Sequence, residues 1–73
     1  MKKIQIRFQC PNGLEVFCKS TVRTEETVVE AKAFIQQIID SKFEGIFVEH
    51  SDIIYIPRKI LKKCIITIMH YET

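Results

Sequence analysis

Residues 2–23 read KKIQIRFQC, PNG, LEVFCKSTVR: two alternating runs on either side of a turn. In the first run Ile4, Ile6, Phe8 and Cys10 fall on one side, and Lys3, Gln5, Arg7 and Gln9 on the other. That period of two belongs to a strand with one buried face. Pro11-Asn12-Gly13 is a turn signal. In the second run Leu14, Val16, Cys18 and Val22 share a face, and Glu15, Phe17, Lys19, Thr21 and Arg23 share the opposite one. The pair is a β-hairpin.

Its register follows from the requirement that paired residues point to the same side of a sheet. A loop of Asn12-Gly13 alone would set Cys10 against Glu15 and Ile6 against Lys19, mixing the faces. A longer loop, with Gly13 at the left-handed position, pairs Cys10 with Leu14, Phe8 with Val16 and Ile6 with Cys18. On the outer face it sets Arg7 against Phe17, Gln5 against Lys19 and Lys3 against Thr21.

Working outward, Thr24 is an N-cap, and Glu25 and Glu26 suit the positive end of a helix dipole. Val28, Ala31, Ile35, Ile38 and Ile39 recur at helical spacing, with Phe34 beside them. Glu30, Lys32, Gln36, Gln37 and Asp40 fall on the other side. The pattern predicts an amphipathic helix over 25–43, with Lys42 in its last turn and Gly45 as its stop. Its acidic side is expected to face solvent.

Residues 46–49 and 53–56 read as strands around a His50-Ser51-Asp52 turn, and Pro57 ends the second. Residues 58–63 read as a loop with one helical turn, Ile60 and Leu61 pointing inward. Residues 64–71 form a last strand that is apolar on both sides, the pattern of a central strand or of one facing a partner. The fold class is therefore α+β, one amphipathic helix packed on an antiparallel sheet, in the order β-β-α-β-β-β.

Seventy-three residues make a single domain over 1–73, and 47% hydrophobic content suffices for a core. Three cysteines, an odd number, do not suit a secreted disulfide framework. Lys2 and Lys3 are followed by alternation rather than by the apolar run of a signal peptide, and no stretch has the length of a membrane span. These features predict a cytoplasmic protein with reduced thiols and no membrane association.

The net charge of +2 conceals a division. Lys2, Lys3, Arg7, Lys19 and Arg23 against Glu15 give residues 1–23 a balance of +4. Residues 24–52 stand at −5 and residues 53–73, with Arg58, Lys59, Lys62 and Lys63, at +3. Charge segregated in this way steers partners even when the total is small.

Catalysis needs a nucleophile or acid beside a base and an orienting group. Neither His50 nor His70 has such neighbours in the pattern, and two distant glycines form no phosphate loop. The expectation is that the protein is not an enzyme and takes no cofactor. Cys10, Cys18, Cys64, His50 and His70 lack the close ligand pairs of zinc sites, so no metal is expected. A Cys10–Cys18 disulfide does not fit the hairpin register.

Two basic surfaces remain as candidate binding sites. Lys3, Arg7, Lys19 and Arg23 surround Phe17 on the outer hairpin face, an arrangement that holds single-stranded nucleic acid when several aromatics are present. With a single aromatic, Arg7 stacked on Phe17 explains the pair equally well. Arg58, Lys59, Lys62 and Lys63 form the densest basic segment, suited to phosphates or an acidic protein surface, or simply to protecting a sheet edge. Residues 46–48, 53–56 and 64–69 carry more large apolar side chains than one helix can cover, so either the sheet curls or part of it is buried against another subunit, as in a homodimer by strand or sheet pairing. The function expected is that of a small protein-interaction module: an inhibitor, adaptor or regulator of the phage or mobile-element kind that binds a protein partner with an acidic surface. The alternative is a DNA- or RNA-binding module using the same cations.

Overall fold

The computed structural model describes residues 1–40 and 43–73. The elements are β1 (Lys2–Gln9), β2 (Glu15–Phe17), β3 (Thr21–Val22), α1 (Glu25–Asp40), β4 (Gly45–Glu49), β5 (Ile53–Pro57), α2 (Arg58–Leu61) and β6 (Ile65–Glu72). The expected α+β class holds. β1 is the middle of the main sheet, with β2 and β3 along one side and β6 along the other, all antiparallel. β4 and β5 form a separate two-stranded sheet. Among the described residues β6 pairs with β1 alone, so it is an edge strand rather than a central one.

The hairpin register is the expected one through Phe17: Phe8 faces Val16 and Arg7 faces Phe17. Cys10 N–H donates to Leu14 O at 2.8 Å, and Gly13 takes a φ of +88° that L side chains rarely adopt. Beyond Cys18, whose N–H reaches Ile6 O, the pairing slips by one residue. Lys3 now faces Val22, not Thr21, and Ile4 faces Thr21. The extra residue is a bulge over 18–20, and it divides the predicted strand into β2 and β3. A slip of one flips every following side chain, so Val22 turns outward and is 45% exposed. The pairing of Gln5 with Lys19 is lost; Gln5 Nε2 donates instead to Cys18 O at 2.8 Å.

α1 begins as expected. Thr24 Oγ1 accepts from Thr27 N–H at 3.0 Å, and Thr27 Oγ1 accepts from Thr24 N–H at 2.8 Å, a reciprocal capping arrangement. The pattern predicts a helix to residue 43; it is described to Asp40, residues 41 and 42 lie outside the described residues, and Phe43 is not helical. Glu25, Glu26, Glu30 and Asp40 are exposed, as the acidic side should be. Ala31 and Ile38 are buried, but Ile39 is not. In α2 Leu61 is buried while Ile60, also expected inward, is exposed.

The core gathers Phe8 and Val16 from the main sheet, Ile38 from α1, Val48 and Ile56 from the β4–β5 ribbon, and Leu61 from α2. Ile6, Cys18, Ile46, Ile54, Cys64 and Ile66 pack around it. No helix among the described residues is long and apolar enough to cross a membrane. Phe8 is wholly buried within this core. Phe8→Ala is expected to destabilise the fold by about 3–5 kcal/mol, read as a lower urea midpoint with unchanged slope.

Candidate binding surface

Core residues occupy one face of the main sheet; the opposite face carries the candidate site. Along β1 that face presents Lys3, Gln5, Arg7 and Gln9. The register brings Tyr71, Met69, Thr67 and Ile65 of β6 beside them in that order. On the other side stand Val22 beside Lys3, Phe17 beside Arg7 and Glu15 beside Gln9. The face is thus built of cross-strand rows such as Val22–Lys3–Tyr71 and Phe17–Arg7–Thr67. Neighbours within such a row lie about 5 Å apart at Cβ, within reach of one ligand group.

One end of the main sheet gathers three cations and one carboxylate. Lys2, Lys3, Arg23, His70, Tyr71 and Glu72 line an open hollow of about 400 Å³. Arg23 is drawn there because its N–H donates to Lys2 O at 2.9 Å. The chain ends are joined at the same end of the sheet, Met1 N donating to Thr73 O at 2.7 Å. Further along, Arg7 is half-buried, and its Nε has no hydrogen-bond partner among the described residues.

The nine residues expected to bind do not form one surface. Lys3, Arg7, Phe17 and Arg23 lie on or beside the outer face, although Phe17 also lines a groove against the β4–β5 turn with Val48, His50 and Ile54. Lys19 does not join them. The bulge turns it to the helix side, where it lines a groove with Thr21, Glu30, Ala31 and Phe34. Arg58 is a fastening residue: its N–H donates to Glu44 O at 2.7 Å and its Nη1 to Phe43 O at 3.3 Å. Lys59 and Lys63 border a hollow with Pro11, Asn12 and Ile60, beside the β1–β2 turn. Lys62 is exposed and lines neither hollow. The two basic hollows are separated by the length of β1, about 25 Å.

Tyr71 and Met69, with Val22, Thr67 and Ile65, are members of the face that sequence reasoning missed. The last strand reads as apolar on both sides, so the pattern gives neither which side Met69 and Tyr71 take nor which strand lies next to them. A second unassigned feature is the outer side of the β4–β5 ribbon. Phe47 and Tyr55 face each other there with ring centroids 4.9 Å apart, and Ile53 lies on the same side. Phe47 is 73% exposed. Tyr55 covers Gly45, where an added Cβ would collide with its hydroxyl, its ring and Ile56 O.

Among the described residues no group of three or more His, Cys, Asp or Glu side chains is placed to hold a metal ion. The Cys18 thiol is pushed up by burial, which favours the neutral form.

Because the Arg7 Nε is desolvated without a partner, Arg7→Met is expected to change stability by less than about 1 kcal/mol, in either direction. Urea unfolding of the two proteins checks this, and a loss above about 3 kcal/mol would show a paired guanidinium. Comparisons of the chain with protein-family models, with curated proteins and with solved structures returned no match.

Proposed function

We propose that the protein is a non-enzymatic interaction module that uses the basic end of its main sheet to engage a protein partner with an acidic surface. The observation carrying this reading is the mixed row Val22–Lys3–Tyr71, next to the hollow that Lys2 and Arg23 also line. Cations alternate there with an aliphatic and an aromatic side chain. Protein interfaces use that mixture, with apolar anchors for affinity and peripheral charge for orientation and approach rate. An inhibitor, adaptor or regulator of this size works by occupying such a surface.

The same face supports single-stranded DNA or RNA less well. Tyr71 supplies the second aromatic that a stacking platform needs. Yet Tyr71 and Phe17 are four residues apart along β1 and on opposite sides of it. Their Cα positions are then about 16 Å apart, against a spacing of ~3.4 Å between stacked bases in a duplex strand. Successive bases cannot use both rings.

The test is capture from a lysate of the source organism by wild-type protein and by the double variant Lys3→Glu, Arg23→Glu. A protein retained near stoichiometry by the wild type should bind the variant at least about tenfold more weakly. Lys62→Glu should bind as the wild type does. Equal retention by all three proteins would sink the reading. So would a labelled oligonucleotide that binds at low salt, loses affinity steeply as salt rises, and competes with that partner.

Self-association is a second reading, supported by the exposed Phe47, Ile53 and Tyr55. Light scattering over a concentration series should then show a dimer that Phe47→Ser converts to monomer. A wild-type monomer at every concentration would exclude it.

A further inference from the structure

The main sheet ends at Gln9 opposite Ile65. One step further in the same register, Cys10 stands opposite Cys64. Their sulfurs are 3.3 Å apart, the Cys64 thiol lying within donating distance of both Cys10 Sγ and Ile60 O, each at 3.3 Å, and both residues are free thiols. Neither backbone N–H is shared between the two: Cys10 N–H goes to Leu14 O and Cys64 N–H to Leu61 O. They therefore form a pair of the non-hydrogen-bonded kind, in which opposite Cα atoms approach to about 4.5 Å. A disulfide spans Cα separations of about 4.4–6.8 Å. The pair needs a small closing movement of the sulfurs and no rearrangement of the strands.

We propose that Cys10 and Cys64 are a reversible disulfide site that staples β6 to β1 when the protein meets an oxidising low-molecular-weight disulfide. Cys64 is partly exposed and Cys10 is buried, which sets the order of events. The Cys64 thiol loses its proton to solvent and its sulfur attacks one sulfur of the small disulfide. That S–S bond breaks and one small thiolate leaves, taking up a proton. Cys10, deprotonated in turn, attacks the Cys64 sulfur of the mixed disulfide and expels the second small thiol. Two protein thiols and one small disulfide become one protein disulfide and two small thiols, two electrons passing to the reagent.

The closed bond would fasten the chain's longest pairing at its Gln9–Ile65 end, β1 and β6 being eight residues each. It joins the β1–β2 corner to the segment after α2, so β6 could no longer leave the sheet edge from its Ile65 end. Cys18 is an internal control. It sits across β1 from β6, beside Ile6 and four residues along β1 from Cys10.

Burial, and then the adjacent Cys10 thiol, push the Cys64 thiol up to about 11, so exchange is slow at neutral pH. The experiment therefore treats the full chain with oxidised glutathione at mildly alkaline pH, alkylates the remaining thiols and maps the peptides by mass spectrometry. The expected product is monomeric, links Cys10 to Cys64, and leaves Cys18 alkylated. Its melting temperature should rise by about 10 °C or more and return with dithiothreitol. Cys18→Ser should give the same product. A stable glutathione adduct on Cys64, a bond involving Cys18, an intermolecular bond, or three unreacted thiols after prolonged exposure would each overturn the proposal.

Discussion

The contact between Phe8 and Val16 is the constraint on which the rest of the molecule depends. These are the two most completely buried large side chains, and they face each other across the first pairing of the chain. Fixing that pair fixes the parity of β1. Every even residue from Ile4 to Phe8 then enters the core, and every odd residue from Lys3 to Gln9 faces away. β6 adds its own alternation to this parity, Ile66 and Ile68 inward, Met69 and Tyr71 outward. The candidate surface is the reverse side of the core; a change of register in β1 would abolish both together.

This dependence explains what was legible in the sequence. The hairpin register could be argued because Gly13 permits one loop conformation and because the alternative loop mixed the faces. The helix start could be read because Thr24, Glu25 and Glu26 are local signals, although the reciprocal role of Thr27 was not foreseen. The slip at residues 18–20 was hidden, because Cys18, Lys19 and Ser20 suit either register. It moved Lys19 off the face and Val22 onto it. The pairing of β6 with β1 is the longest-range event in the fold, and no local pattern states which strand will receive it. Tyr71 was missed for that reason, and because its strand reads as apolar on both sides.

The basic segment after Pro57 illustrates how charge on a sequence differs from charge on a surface. Its four cations are contiguous in the reading, yet Arg58 is spent on the carbonyls of Phe43 and Glu44, and Lys59 and Lys63 turn toward the β1–β2 loop. Lys2, Lys3 and Arg23, by contrast, are separated by some twenty residues and line one hollow. A hairpin brings the two ends of its strands together, so charges at those ends add where charges along a helical turn disperse.

That geometry also bears on the direction of binding. The exposed carboxylates of α1 lie on the helix, which packs on the core side, whereas Lys3 and Arg7 face away from it. A chain with a net charge of +2 therefore presents a positive end without being a generally basic protein. A uniformly charged anion such as long duplex nucleic acid rewards total positive charge, because each phosphate neutralised releases counterions. A compact acidic patch on a protein rewards local charge beside apolar contact area, and repels the wrong end of the binder. Segregated charge, a small total and the aliphatic and aromatic neighbours of Lys3 all favour the second kind of partner over the first.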